Sequence, residues 1–338
     1  MIDRKRYCET FSRVRVSPET RRRILSMEQT TPKSVRRLAV AVAAVLAVTL
    51  SATAVVTFGG TMTDWFAREW AERTGGELSE GQTVVIDSLT QKVGQSVESE
   101  GVTVTVDSIT VGTESLWVLL DAEGLEFDPD ESYTFGTSMP DIQPDPNSGQ
   151  QGSGGWRISS IGVTENGELR LLLQFTTILS AGTRLDEGGY TLELSLGDLS
   201  RVDNEREEIV CAGEWAFSIP LTAESLSPVL TIESAVVTGD VMVPDGEGQE
   251  ERERREVVLY DLRVTATGLS FRHDGEVSLL MPVAAVLENG TEVRSGSGGG
   301  SRLDDGSWYD TWEWPAPLDI SDIAALRIGE TEIPLQQP

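Results

Sequence analysis

The sequence predicts a mostly β chain carried behind a single membrane-spanning helix, with a short helical segment ahead of that helix. Three observations support the expectation. Residues 38–58, LAVAVAAVLAVTLSATAVVTF, hold no charge over 21 positions, enough at about 1.5 Å per residue to cross a hydrocarbon core of about 30 Å. Charge is divided across that run: the 338 residues carry a formal net −28, yet the first 37 hold 11 Lys/Arg against 4 Asp/Glu and everything from Gly59 onward holds 16 against 51. Beyond the run, apolar residues recur at period 2 between turn signals, as half-buried strands require, and long helical patterns are missing.

In chain order, residues 1–37 come first. Tyr7, Phe11 and Val14 fall at i, i+4 and i+7, one face of a helix. Ser17 and Pro18 then supply an N-cap and a first helical position, and Ile24 and Leu25 give the second helix its apolar residues. Two helices of about ten residues each are too short to be stable alone in water, so their apolar face suggests a partner. The competing reading is a disordered tail whose basic residues fix topology and touch anionic lipid.

Arg36 and Arg37 directly precede the apolar run. The positive-inside tendency then puts the N-terminus in the cytoplasm and everything after 58 outside a single-pass cell-membrane anchor. A cleaved signal peptide is the alternative, because Ser51, Ala52, Thr53 and Ala54 resemble a peptidase site. Against it, 37 residues precede the run, and its 21 positions exceed the about 7–15 of a signal peptide.

Residues 59–89 read as a juxtamembrane segment and linker. Trp65, Phe66 and Trp70 lie where a membrane–water interface favours aromatic rings, or else they pack on the first outer domain. Asp64 can cap a short helix reaching about Arg73 and stopped by Gly75 and Gly76. The remaining length, against a typical ~100–200 residues per domain, predicts two tandem β-sandwich domains, 90–221 and 225–338. Val102, Val104 and Val106 alternate with polar residues, a second strand follows around 116–120, and Asn166-Gly167 and Asn289-Gly290 mark hairpins. An internal echo supports the division. "VTVDSITVGTESLWVLLDAEGLEF" is answered by "LTIESAVVTGD" and "REVVLYDLRVTATGLSF", and the copies close on "EWAFSIPL" and "TEIPL". "TAESLSP" is the linker, "PDGEGQEERERRE" reads as a solvated loop, and 321–326 hints at a helical turn.

Catalytic and metal chemistry is thin. His273 is the lone histidine and sits in "FRHDGE", a turn context; with Cys8 and Cys211 on opposite sides of the membrane, neither a Cys/His zinc site, a Ser-His-Asp triad nor a disulfide can be assembled. The expectation is therefore no enzyme, no cofactor and no metal site. Asp128, Asp130, Asp141, Asp145 and Asn147 offer oxygens suited to calcium, but the loop lacks the EF-hand glycine and carries Pro144 and Pro146. Trp308, Tyr309, Trp312 and Trp314 could stack on a sugar or peptide of the cell envelope, although the shared parity of the three tryptophans favours core packing. The acidic exterior argues against nucleic acid, whose phosphates require Lys/Arg.

The segment "YCETFSRVRVSPETRRRILSM", the run "VRRLAVAVAAVLAVTL" and "VGQSVESEGVTVTVDSITVGTESLWVLLDAEG" together resemble bacterial single-pass membrane proteins of domain-of-unknown-function family four-one-seven-nine. "VVLYDLRVTATGLSF" resembles the C-terminal domain of family five-six-four-three. Members are commonly described as anti-sigma factors. The resemblance implies that residues 7–27 hold an extracytoplasmic-function sigma factor while the outer domains sense the envelope. The zinc-binding His/Cys pattern of the best-understood anti-sigma factors is absent from this chain. The rival organisation is a surface-anchored adhesion or cell-wall-binding protein with no cytoplasmic partner.

The charge asymmetry makes a topological prediction. Protease added to intact protoplasts should remove the outer part and leave a membrane-bound fragment containing the first 37 residues; a mature protein beginning near Val55 and free in the medium would contradict it.

Overall fold

Two capping boxes open the described chain. Thr61 accepts from the backbone N–H of Asp64, while the Asp64 carboxylate accepts from the backbone N–H of Thr61 at 2.6 Å, starting helix α1, Met62–Thr74. Gly75 ends it in the left-handed region at φ 72°, where a side chain would be strained. Ser79 and Gln82 repeat the device for α2, Glu80–Leu89. The interval expected to be a linker is thus helical. Its aromatics do not stand at a bilayer interface: Trp65, Phe66 and Trp70 are 7%, 0% and 4% exposed, inside the protein. Asp64 sits three residues into the first turn of α1, and Thr61 is the cap.

A computed structural model describes residues 60–138, 140–143, 154–177, 185–203, 206–222, 229–244, 250–274, 278–303 and 305–335. Residues 53–338 form one unit; the other, 1–52, lies outside the described residues, and with it Tyr7, Phe11, Val14, Ile24, Leu25, Arg36 and Arg37. No described helix is long and apolar enough to cross a membrane, and 38–58 is not among the residues described.

The rest is mostly β, in four antiparallel sheets. Sheet 1 orders β1 (Thr90–Ser99), β2 (Val102–Val111), β3 (Ser115–Glu123), β7 (Leu169–Thr177) and β6 (Gly154–Val163). Sheet 2 is built on β8 (Tyr190–Asp203), which pairs with β10 (Trp215–Leu221), β4 (Ser132–Thr137), β5 (Asp141–Gln143) and β9 (Arg206–Cys211). Sheet 3 orders β14 (Ser278–Leu279), β11 (Leu230–Pro244), β12 (Glu250–Val264), β13 (Gly268–His273), β18 (Trp308–Glu313) and β17 (Ser297–Arg302). Sheet 4 orders β16 (Glu292–Arg294), β15 (Val283–Leu287), β19 (Ile323–Ile328) and β20 (Thr331–Pro334).

The internal echo has a structural counterpart. β2–β3 and β11–β12 each pair antiparallel near the middle of their sheet, and the closing segments β10 and β20 each form an edge of the companion sheet. One strand of each central pair also carries a bulge at an aspartate, β2 against β3 and β12 against its other neighbour, β13. At Asp107 the buried set shifts from Val102, Val104 and Val106 to Ile109 and Val111. At Asp261, with φ 52°, it shifts from Val257 and Leu259 to Leu262 and Val264. One segment departs from expectation. The charged stretch after Pro244 is not a loop throughout: residues 250–256 extend β12 in register with β11, so that Asp240 faces Arg254 and Pro244 faces Glu250.

Sheets 1 and 2 share a core built around Leu116, Val118, Leu120, Leu171, Leu173 and Trp215. The opposite face of sheet 1, with Trp117, Leu119 and Leu172, belongs to a second core. That core contains Met62, Trp65, Phe66 and Trp70 of α1 and the interior of sheets 3 and 4. β3 is therefore buried on both faces, which is why SLWVLL runs apolar without alternation. Phe66 meets Trp117 edge-on, with ring centroids 5.4 Å apart and planes at 71°. Arg170 and Asp121, opposite each other on β7 and β3, form a two-pronged ion pair at 2.6 and 2.8 Å, and Arg170 also donates to the Gly60 carbonyl.

Phe66→Ala removes a fully buried ring from the core that joins the sheets, and should cost about 3–5 kcal/mol of stability. Urea unfolding followed by tryptophan fluorescence measures it; a loss below about 1 kcal/mol would mean that α1 does not hold the sheets together.

Candidate functional site

The most chemically distinctive place in the described chain is the seam where the turn between β2 and β3 meets sheet 3. Gly112 lets this turn close, since its N–H reaches the Ser115 carbonyl at 2.7 Å and a Cβ there would lie 3.0 Å from both that oxygen and the Trp117 ring. Across the seam, the Thr113 N–H donates to the Thr267 hydroxyl at 3.0 Å, and that hydroxyl contacts the Thr113 hydroxyl at 3.2 Å.

β18 supplies the opposing wall. Its burial alternates so that Tyr309, Thr311 and Glu313 are buried at the seam while Trp308, Asp310 and Trp312, half-buried, take the face shared with Leu269 and Phe271. Glu313, 5% exposed, accepts from three side chains of the first sheet: Ser115, Thr176 at 2.7 Å and Gln174 at 3.0 Å. Such a buried carboxylate is tolerable only because each of its oxygens is partnered.

Glu114 is placed differently. Its Oε1 accepts from the Tyr309 hydroxyl at 2.6 Å, but its Oε2 is buried with no hydrogen-bond partner among the described residues. Burial, which disfavours the charged form, pushes its carboxyl up to about 7; hydrogen bonds from Tyr309 and Thr311 oppose this, Glu313 adds to it and Arg263 opposes it. The Tyr309 phenol is raised as well, by burial and then by the charge of Glu114. A cavity of about 20 Å³, room for a single water, is lined here by Glu114, Ser115, Thr267, Ser270, Thr311 and Glu313. Among the described residues no group of three His, Cys, Asp or Glu could hold a metal ion.

Trp308 and Trp312 share one face of β18, the face that carries Leu269 and Phe271 on the neighbouring strand. Trp312 is half-buried against the core of sheets 3 and 4, and Trp314, beyond the strand, is buried in that core with its Nε1 donating to the Thr265 carbonyl at 3.2 Å. The other face of β18 is polar because it meets the Ser115–Gln174–Thr176 side chains rather than an apolar core. Trp312 is accommodated by the glycine-rich neighbour β17: a Cβ on Gly298 would lie 2.4 Å from the indole. Of the four aromatics proposed for stacking on a ligand, Tyr309 and Trp314 are thus enclosed, at 4% and 2% exposure.

Other candidates are accounted for by their surroundings. His273 ends β13, is 2% exposed, and lies 3.0 Å from Asp310 and 2.7 Å from the Asp274 carbonyl. Cys211 is buried and its thiol is pushed up by that burial, away from the thiolate form that reacts. Asp128 accepts from the Asp130 N–H and Asp141 from the Ile142 N–H, while Asp145 and Asn147 lie outside the described residues. A larger hollow of about 470 Å³ is bordered by Phe127, Asp128, Tyr133, Arg201 and Val210. Its polar groups satisfy one another: Arg201 pairs with Glu131 at 2.9 Å and Glu208 at 2.5 Å.

Nothing in the order of residues announced the seam. Glu114 and Glu313 are 199 positions apart and look like any other acid among many. The one local signal is parity: Tyr309, Thr311 and Glu313 alternate with Trp308 and Trp312, so one of the two faces had to be polar.

Glu313→Ala should cost about 3 kcal/mol, because it strands the buried Ser115 hydroxyl and the partly buried donors of Gln174 and Thr176. Glu313→Gln, which retains an acceptor, should cost about half of that. Paired urea titrations measure both, and equal losses would mean that the side chain acts by volume alone.

No family model matches the chain, and no curated protein matches it. Among solved structures, one described as the crystal structure of the conserved domain protein from Bacillus anthracis is similar at a TM-score of 0.40 and 13% identity, over 71% of this chain and 77% of that chain. A likeness this distant bears on neither mechanism nor ligand.

Proposed function

We propose that the protein is a membrane-anchored regulator, an anti-sigma factor whose residues 1–37 hold an extracytoplasmic-function sigma factor and whose two outer β-sandwich domains sense the envelope. Residues 38–58 cross the membrane once in this reading, and the resemblance of 7–27 and of the outer segments to that class of protein points the same way. The observation that carries the proposal is the placement of α1. Only Gly60 and Thr61 of the described chain precede this helix, whose apolar face is buried in the core joining sheet 1 to sheets 3 and 4. Arg170 also holds the Gly60 carbonyl. A change in how the sheets pack therefore acts on the chain at the point where it leaves toward residue 58. An adhesion module needs no such attachment; a flexible tether would serve it better.

The test addresses the cytoplasmic partner. A peptide of residues 1–37 should gain helix on meeting its sigma factor, with Tyr7, Phe11, Val14, Ile24 and Leu25 as the contact face. Phe11→Ala should weaken binding by about 2 kcal/mol, roughly thirtyfold, and raise transcription from the sigma factor's own promoter. Arg22→Ala should matter less, since one basic residue near an anionic surface contributes about 1 kcal/mol and is screened by salt. Equal effects of the two substitutions, with all binding lost in high salt, would identify a lipid-attracted tail.

A further inference from the structure

We infer that Glu114 is a proton-operated latch in the seam between the two pairs of sheets: neutral, it stays buried in the closed seam, and ionised, it favours an open seam where water reaches it. The geometry makes the case. Glu114 projects from the turn of one pair of sheets and is held by a hydroxyl of the other, with Tyr309 Oη 2.6 Å from its Oε1. Its Oε2 is buried outside hydrogen-bond geometry with any described residue, beside a cavity sized for one water. This is a place where a protonated carboxyl can stay and an unpaired negative charge is costly. The charged and titratable groups facing it are Tyr309 and Glu313 on β18 and Arg263 on β12; hydroxyls of Thr311 and Ser270 complete the surroundings. Glu313 is held by Ser115, Thr176 and Gln174, whereas Glu114 keeps an oxygen outside hydrogen-bond geometry with any described residue.

The direction follows from linkage. A carboxyl whose value is raised in the closed seam holds its proton there more tightly than in the open one. The contact is complete below the ordinary value near 4.5 and weakens as pH rises toward about 7. Acid closes the seam and neutral to alkaline conditions release it. Because α1 lies in the core adjoining this seam, release also alters what holds the chain leading to residue 60. The latch stands whether or not residues 1–37 bind a sigma factor, and its test makes no use of that partner.

The measurement is native-state hydrogen exchange on the full-length protein in lipid nanodiscs, read in peptides covering 112–116 and 308–313 and corrected for the intrinsic pH dependence of exchange. Protection in the unaltered chain should fall on the order of tenfold per pH unit between about pH 4.5 and 7 and then level off. Glu114→Gln should stay protected across the range. Tyr309→Phe removes a hydrogen bond that favours the ionised carboxylate, so it should move the midpoint upward; a merely structural contact would lose protection equally at every pH. It also decides the matter should Glu114→Gln fail to fold. Flat protection in the unaltered chain overturns the latch. So does a slope that persists in Glu114→Gln, which would belong to another group. A midpoint that moves with calcium at fixed proton concentration would make the seam a cation site and equally reject a proton latch.

Discussion

The packing of Phe66 on Trp117 is the contact on which the rest of the described chain depends. Sheet 1 turns Trp117, Leu119 and Leu172 away from its own core. Left in water, this face would be an exposed apolar patch of the kind that drives association. α1 covers it with Met62, Trp65, Phe66 and Trp70, and the interior of sheets 3 and 4 continues the same cluster. One strand, β3, thus serves two cores, and the two pairs of sheets have a reason to stay together that a flexible linker would not provide.

The polar seam next to this apolar contact does a different job. Apolar surfaces slide past one another at little cost, whereas three donors converging on Glu313 accept one arrangement. Buried hydrogen-bonded groups of this kind contribute little net stability and much specificity, because any other register leaves them unpaired. The hydrophobic contact holds the sheets together, and the seam sets their register. Glu114 sits within this register with its Oε2 buried outside hydrogen-bond geometry with any described residue, which is where we place the response to a proton.

The two features meet at the entrance to the chain. The Arg170–Asp121 pair spans the strands whose outward residues carry α1, and the same guanidinium takes the Gly60 carbonyl. Its side chains are only 14% and 18% exposed, so solvent screens the pair far less than a surface salt bridge. The backbone is fixed before the helix begins, and the capping box then fixes the helix. Force or rearrangement in the sheets is transmitted through stiff elements rather than lost in a loop.

The mostly β character could be read from the sequence because a period of 2 is a local property. Val102, Val104 and Val106, the Asn-Gly turns and the echo between the two halves needed no knowledge of what lay nearby in space. α1 was legible to within a residue or two, since Gly75 and an acid in the first turn are local signals. α2 was hidden by the β-branched run Val84-Val85-Ile86, although Ser79 and Gln82 spelled its cap. What could not be read were facts about partners. Trp65, Phe66 and Trp70 suit a membrane interface as well as a core, and the choice was made by Trp117, about fifty positions away. Both faces of β18 are covered, Trp312 packing on the core of sheets 3 and 4 while Tyr309, Thr311 and Glu313 meet a polar wall from the other pair of sheets, and only the first of these was legible in the parity of the tryptophans. Glu114 and Glu313 acquired their roles only through burial, and burial is set by long-range packing that no local pattern encodes.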